Sequence, residues 1–253
     1  MIKFSANLGF LWTDFRLPDA IRAAKAAGFD AVECHWPYDI PASEVRAALE
    51  ETGLPMLGLN TIRGRLGENG LAALPGREDD ARASIIQAID YAEAVEAHAI
   101  HVMAGFAEGA EAQAAFEGNL AFACEKTDKT ILIEPLNRHD APGYFLKTTD
   151  QAKALIERLG YPNLRLMFDC YHVGRTEGDV VTRLTELISI TGHIQFASVP
   201  DRGPPDRGEL NYDYIFNCIA SLGWTTPLGA EFKPGEPNET TRWMKSFFRM
   251  DVC

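Results

Sequence analysis

Four side chains with oxygen atoms stand at the ends of apolar, strand-like segments in the second half of the chain. They are Glu134, Asp169, Gln195 and Glu231, spaced by 35, 26 and 36 residues. Each spacing is close to the length of one strand followed by one helix. If these strands are parallel neighbours, the four side chains stand at similar depth at one edge of a sheet. Their types are those that bind hard divalent cations or transfer protons.

The alternation of side chains along each strand predicts that these four groups face the same way. The residues directly before them are apolar: Ile133, Phe168, Ile194 and Ala230. Because successive strand residues point to opposite faces, the apolar set covers the outer face and the polar set converges inside. Three converging carboxylates repel one another strongly unless a cation or protons intervene. The all-oxygen set therefore predicts a site for one divalent ion, Mg2+ or Mn2+ rather than zinc.

Three further polar residues lie near the ends of predicted strands. His172 follows Asp169 by three residues, where its ring could contact a metal ligand or a small molecule. Asn7 and Glu33 belong to the first two strand-like segments, and for both we expect a packing or bracing role.

The elements that would position these residues alternate along the chain. Short β-favouring runs flanked by Gly, Pro, Asn or Asp predict strands, and longer stretches with helical period predict helices. The predicted strands are residues 3–8, 31–36, 55–59, 99–104, 130–135, 165–169, 193–197 and 227–232. The predicted helices are residues 17–27, 44–52, 77–97, 110–126, 149–159, 179–190, 212–222 and 239–250.

Eight strand–helix units in series predict parallel strands joined by helical crossovers. A chain of 253 residues suits one closed eight-stranded barrel. The sequence therefore predicts an α/β fold, a single (β/α)8 TIM barrel that forms one domain over residues 1–253. The alternative is an open doubly wound sheet, which usually has a glycine-rich nucleotide turn after its first strand. The segment NLGFLW at that place is not such a turn.

Composition argues against several partners and locations. The net charge of -12 repels a phosphate backbone, so we expect no nucleic-acid partner. No run of about 18 apolar residues is present, so we expect no membrane span. Five scattered cysteines without a CxxC pair predict reduced thiols. No signal-peptide pattern opens the chain, and we expect a cytoplasmic protein. A homo-oligomer stays open, because no sequence feature specifies one.

Short segments along nearly the whole chain carry a resemblance to a known family. They are GFDAVE at 28–33, ALPGRE at 73–78, HVMAG at 101–105, IEPLN at 133–137, FDCYH at 168–172, HIQ at 193–195, VPDR at 199–202, GELNY at 208–212 and EFKP at 231–234. With these motifs the chain resembles the hydroxypyruvate isomerase-like branch of the xylose isomerase/sugar epimerase-like TIM barrels. The HIQ and PDR segments are more specific than GFDAVE, which recurs in many related barrels.

The resemblance implies an enzyme that interconverts an aldehyde and a ketone within one molecule. Glu134 and Glu231 would be the acid/base pair, and Asp169 and Gln195 would complete the metal site. His172 would contact the substrate. The implied reaction interconverts hydroxypyruvate and 2-hydroxy-3-oxopropanoate, or performs the same step on a longer 2-oxo-hydroxy acid. We expect it to pass through a cis-enediolate, which the cation stabilises.

Two loops depart from the pattern of this family. Residues 60–65 read NTIRGR where the family tends to have a PAGDW-like segment, and residues 201–205 read DRGPP without the usual His-Glu. Both loops would line the mouth, so they bear on the substrate more than on the reaction type. The substrate's carboxylate needs a positive partner. The candidates are Arg202, which we predict as a substrate-binding residue, with Arg207, Arg63 and Lys233.

Three other functions stay open at this point. A ketose 3-epimerase shares the barrel and the paired glutamates, although those epimerases tend to have a histidine ligand where this chain has Gln195. An abasic-site endonuclease of related fold needs several zinc-binding histidines and a basic face, and this acidic chain has six histidines. A sugar-acid binding protein without catalysis is the third.

Overall fold

The computed structural model describes residues 2–235 and 241–247. Eight parallel strands form one sheet in the order β2-β1-β8-β7-β6-β5-β4-β3. They are β1 Phe4–Asn7, β2 Ala31–Glu33, β3 Gly58–Asn60, β4 Ala99–His101, β5 Thr130–Ile133, β6 Leu164–Asp169, β7 Thr191–Phe196 and β8 Leu228–Ala230. Backbone hydrogen bonds from Val32 N to Pro55 O and from Leu57 N to Val32 O join the two ends of the sheet. The predicted (β/α)8 barrel is confirmed.

Helices follow the strands around the outside of the barrel. They are α1 Leu17–Ala26, α2 Ala42–Thr52, α3 Glu78–Ala94, α4 Gly109–Lys126, α5 Thr149–Leu159, α6 Cys170–Thr176, α7 Val180–Leu187, α8 Tyr212–Ser221 and α9 Met244–Phe247. A short 3-10 helix, Ile188–Ile190, leads from α7 into β7. Residues 239–240 and 248–250 of the last predicted helix lie outside the described residues.

Helix α6 was not among the predicted helices, and the reason is its abrupt start. Strand β6 ends at Asp169, and α6 begins at the next residue, without the Gly, Pro or Asn that usually marks such a junction. The Asp169 carboxylate caps the helix by accepting a hydrogen bond from Tyr171 N at 2.8 Å. One aspartate thus ends a strand, caps a helix and faces the inside of the barrel.

The buried apolar residues form one large core and one small cluster. The main core lies between the sheet and the helices, and it contains all the residues predicted to face outward: Ile133, Phe168, Ile194 and Ala230. A small inner cluster of Ala99, Leu132 and Met167 fills part of the barrel interior. The predicted alternation is therefore confirmed, and the polar members of these strands point inward.

Two predictions about the chain's general character are also tested. Cys34, Cys124, Cys170 and Cys218 are free thiols, as the spacing predicted, while Cys253 lies outside the described residues. Within residues 2–235 and 241–247, every helix is too short or too polar to cross a bilayer.

Candidate active site

Three carboxylates and one imidazole form a buried cluster at the C-terminal ends of the strands. One ligand atom from each of Glu134, Asp169, His172 and Glu231 lies within 4.8 Å of the others. All four side chains belong to residues that are at most 5% exposed. Glu134 directly follows β5, Asp169 ends β6, and Glu231 directly follows β8. The barrel therefore brings the three predicted carboxylates together at the face where such folds do chemistry.

Gln195, the fourth predicted ligand, stands beside Asp169 in the register of β6 and β7. Its Nε2 donates to Glu33 Oε1 at 2.7 Å. Its Oε1 is buried and has no hydrogen-bond partner among the described residues. The side chain lines a second cavity of about 20 Å³ inside the barrel, together with Asn7 and His193. Gln195 thus has one oxygen acceptor that no described residue uses.

Burial and mutual repulsion disfavour ionisation of two of the carboxylates. Burial first, then the charges of Glu231 and Asp169, raise the pKa of Glu134 well above its ordinary value. Burial and Glu231 raise the pKa of Asp169 to about 7. For Glu231, burial opposes the charge, but Arg202 and His35 outweigh it and hold the pKa below its ordinary range. With all three carboxylates ionised, the cluster and Arg202 together carry a charge of -2, which one divalent cation would neutralise.

Glu231 has donors on both oxygens. Its Oε1 accepts from His35 Nε2 at 2.9 Å and from Asn7 Nδ2 at 3.2 Å, and its Oε2 accepts from Arg202. By contrast, Glu134 Oε1 and Asp169 Oδ2 are buried and have no hydrogen-bond partner in the described part of the chain. Like Gln195 Oε1, these two atoms are oxygens of residues predicted as metal ligands, and such oxygens fit a hard divalent ion.

Arg202, predicted to bind the substrate, lines the cavity that adjoins the acidic cluster and faces that cluster. Its guanidinium contacts Glu231 and lies 3.8 Å from Asp169 Oδ2. Its Cζ lies 4.6 Å from the ring centroid of Phe10 and 5.0 Å from that of Tyr171. The positive charge is therefore held between two aromatic rings and directed at the carboxylates.

The hydrogen bonds of His172 decide which ring nitrogen carries the proton. Asn137 N donates to His172 Nδ1 at 2.9 Å, so the neutral ring has its proton on Nε2. Burial first, then the charge of Arg202, lowers the pKa of His172 to about 3. Nε2 lies 3.7 Å from Glu134 and 3.6 Å from Asp169. A histidine that binds a metal normally donates a hydrogen bond from the ring nitrogen that faces away from the metal. In His172 that nitrogen, Nδ1, accepts a hydrogen bond instead. His172 is thus suited to donate a hydrogen bond rather than to bind a cation.

Asn7 and Glu33, for which we expected a packing or bracing role, form hydrogen bonds with other buried polar side chains. Asn7 Nδ2 donates to both Glu33 and Glu231, at 3.1 and 3.2 Å. Glu33 Oε2 lies 2.9 Å from His193 Nε2. Its carboxylate therefore supports a layer of polar groups next to the acidic cluster.

Two histidines at the site were missed by sequence reasoning. His101 ends β4, is buried, and has Nδ1 3.8 Å from Glu134 Oε2, with neither ring nitrogen hydrogen-bonded to a described residue. Burial lowers its pKa to about 3. His35, two residues beyond β2, donates to Glu231. The signal that could have found them is their place at strand ends, since both lie where the four predicted ligands lie on later strands.

The cluster opens into a cavity of about 320 Å³, which suits a small organic molecule. Besides the polar groups described, Trp36, Asn60, Arg63 and Asn69 line it. Gly9 lines it as well, and a Cβ there would overlap the His35 ring. A larger residue at this position would displace a group that supports Glu231.

Known proteins resemble this chain over nearly its whole length. A family described as xylose isomerase-like TIM barrel matches residues 21–249. The 2-oxo-tetronate isomerase of Cupriavidus necator is 44% identical over 243 residues, covering 92% of this chain and 94% of that protein. The hydroxypyruvate isomerase of Escherichia coli is 36% identical, covering 98% and 100%. The crystal structure of AP endonuclease, family 2, from Brucella melitensis has a TM-score of 0.93 at 34% identity, covering 98% and 99%.

Proposed function

The chain belongs to the hydroxypyruvate isomerase-like family of the xylose isomerase-like TIM barrels, and we propose from this that it is a metal-dependent isomerase of a small 2-oxo-hydroxy acid. It is an isomerase, the class to which the relatives from Cupriavidus necator and Escherichia coli belong, and its substrates are small keto acids. The proposed reaction converts hydroxypyruvate to 2-hydroxy-3-oxopropanoate, or makes the same change in 2-oxo-tetronate.

One observation carries the metal dependence: buried carboxylates with unsatisfied oxygens converge at the barrel mouth. Glu134, Asp169, Gln195 and Glu231 would hold the ion, because their oxygens form the hard ligand set that Mg2+ and Mn2+ prefer. His172 stands outside this set because its facing nitrogen carries a proton. When bound, a divalent ion supplies positive charge that stabilises the negative charge developing on substrate oxygens.

We assign the transfer of protons between neighbouring carbons to the two glutamates, Glu134 and Glu231. One of Glu134 and Glu231 removes the proton from the carbon that bears the hydroxyl, which leaves a cis-enediolate. The other returns a proton to the adjacent carbon, and the hydroxyl proton passes to the former carbonyl oxygen. The product is an isomer of the substrate, with no oxidant or reductant consumed. The Nε2–H of His172 is available to donate to a substrate oxygen in this cavity.

The experiment that tests this proposal combines metal analysis with proton exchange. The purified protein is assayed for bound metals, stripped with a chelator, reloaded with Mg2+ or Mn2+, and incubated in D2O with hydroxypyruvate, 2-oxo-tetronate and free ketoses. We expect isomerised acid with one deuterium on the carbon that receives the proton, well above an enzyme-free control.

Other outcomes would overturn the proposal. Faster inversion at C3 of a free ketose would favour a ketose 3-epimerase. Metal-dependent cleavage of an abasic duplex would favour a nuclease. Tight binding of an acid without turnover or deuterium exchange would leave only a binding protein.

A further inference from the structure

We propose that Arg63 binds the carboxylate of the substrate and so makes the site select an acid over a neutral ketose. This inference rests on the proposed function and adds the residue that recognises the substrate's charge. It concerns the loop of residues 60–65, which departs from the pattern of the family.

The cations of the cavity lead to this assignment. Among the described residues, two arginines and no lysine line the cavity that adjoins the acidic cluster, and they are Arg63 and Arg202. Arg202 is half-buried, and Glu231 engages its guanidinium. Of the other two candidates from the sequence, Arg207 pairs with Asp201 at 3.8 Å, and neither it nor Lys233 lines the cavity. Arg63 is the remaining cation that faces the substrate's space.

The setting of Arg63 leaves its hydrogen-bond donors available. Its Cζ lies 4.8 Å from the centroid of the Trp36 ring, and Trp36 Nε1 in turn donates to Thr61 O at 3.1 Å. In residues 2–235 and 241–247, no carboxylate forms an ion pair with Arg63 under a 4.0 Å limit. A guanidinium held over an aromatic ring still has N–H groups free to bind a carboxylate in a bidentate manner.

The charge distribution of the cavity favours the same orientation. The carboxylates of Glu134, Asp169 and Glu231 stand at the ends of β5, β6 and β8, and a substrate carboxylate close to them would be repelled. Arg63 follows β3 in the chain, and it lines the cavity together with Asn60 at the end of that strand and Asn69 further along the same loop. An acid therefore binds with its carbonyl and hydroxyl groups toward the cluster and its carboxylate toward Arg63.

The test compares an acid with a neutral substrate of matched shape. Hydroxypyruvate and dihydroxyacetone differ in one end group, a carboxylate against a hydroxymethyl group. Arg63→Gln should raise KM for hydroxypyruvate by about 10- to 100-fold, the range expected for a charge-assisted hydrogen-bond pair, with little change in kcat. The preference for the acid, measured as the ratio of kcat/KM values, should fall by the same factor. Arg63→Lys keeps the positive charge but loses the paired N–H groups of the guanidinium, and we expect its KM for hydroxypyruvate to lie between those of the wild type and Arg63→Gln.

The matched control is Arg65→Gln, because Arg65 is an exposed arginine of the same loop that does not line the cavity. It should leave both substrates unaffected. Equal losses on acid and neutral substrate in Arg63→Gln, or an unchanged KM for the acid, would overturn the inference.

Equilibrium binding separates failure of this inference from failure of the proposed function. D-Glycerate has the carboxylate but no ketone or aldehyde group, so it cannot be isomerised. Its affinity for each protein is measured by calorimetry. Weaker binding in Arg63→Gln but not in Arg65→Gln supports the inference even if no acid turns over. Turnover of acids by the wild type, together with equal glycerate affinity in all three proteins, refutes the inference and leaves the proposed function standing.

Discussion

Replacing Glu33 should destabilise the protein more than replacing any exposed glutamate, because this carboxylate satisfies several buried donors. Glu33 is 4% exposed. It accepts from Gln195 Nε2 at 2.7 Å and Asn7 Nδ2 at 3.1 Å, and its other oxygen lies 2.9 Å from His193 Nε2. Burial opposes its ionisation, but His193 and Gln195 outweigh burial and lower the pKa of Glu33.

The size of the effect follows from these contacts. In Glu33→Ala, three buried donors lose their acceptor, and each unsatisfied group costs about 1–3 kcal/mol when no water replaces the partner. Allowing for partial relaxation, we expect a loss of about 3–5 kcal/mol in the free energy of unfolding. A change of 1 kcal/mol shifts the thermal midpoint of a chain of this size by about 2–4 °C. The midpoint should therefore fall by roughly 6–20 °C.

Two variants make the test specific. In Glu33→Gln, one amide oxygen still accepts from Asn7 and Gln195, and the amide N–H2 can donate to His193 in its other neutral tautomer. That isosteric change should cost only about 1 kcal/mol. Glu44→Ala removes an exposed carboxylate that pairs with Arg16 at 2.9 Å, and such pairs contribute at most about 1 kcal/mol.

Thermal unfolding is followed by circular dichroism with a chelator present, so that metal binding does not contribute to the differences. We expect Glu33→Ala to have the lowest midpoint, with Glu33→Gln and Glu44→Ala close to the wild type. A midpoint for Glu33→Ala equal to that of Glu44→Ala would refute the reasoning, since the three donors would then not depend on this carboxylate.

Three further predictions concern the site. Glu134→Gln and Glu231→Gln should each lower kcat by about 100-fold or more, the scale of general acid–base catalysis, with unchanged circular dichroism; near-normal turnover would remove that residue from the proton-transfer role. Chelation should abolish turnover, and added Mg2+ or Mn2+ should restore it. A metal concentration of about 100 times its Kd should raise the free energy of unfolding by about 2.7 kcal/mol, as followed by thermal unfolding. A chelated protein that keeps full activity would contradict the metal assignment. Gly9→Ala should reduce kcat/KM, because a Cβ overlaps the His35 ring that supports Glu231; unchanged kinetics would show that this histidine is free to move.

The fold could be predicted well from the sequence because its signals are local. Apolar runs bounded by turn residues marked all eight strands, and helical periodicity marked the long helices between them. Helix α6 was not predicted because no turn residue separates it from β6. The backbone changes from strand to helix directly after Asp169. The limits of the strands also differ, since β3 is Gly58–Asn60 whereas residues 55–59 were predicted. Strand limits depend on which neighbour supplies hydrogen bonds, and that is not a local property.

The candidate site was likewise predicted only in part from the sequence. Alternation along the strands was enough to predict that Glu134, Asp169 and Glu231 converge inside the barrel, and the structure brings them together. The roles of these residues, of Gln195 as a ligand and of Arg202 as a substrate contact, stay predictions. His101 was missed because the predicted strand ran from residue 99 to residue 104, whereas β4 ends at His101, so the histidine did not stand at the end of the predicted strand.

What the sequence by itself determined is the direction of each strand residue, because backbone geometry makes neighbouring side chains point to opposite faces whatever surrounds them. The tertiary structure alone decided which polar groups meet. Glu33 and Gln195 are separated by 162 residues and bond at 2.7 Å, and His172 receives its tautomer from Asn137, 35 residues earlier. Arg63 keeps its donors available because, within residues 2–235 and 241–247, no carboxylate lies close enough to form an ion pair with it. Such pairings follow from closing the sheet into a barrel, where partners are chosen by distance in space and not along the chain.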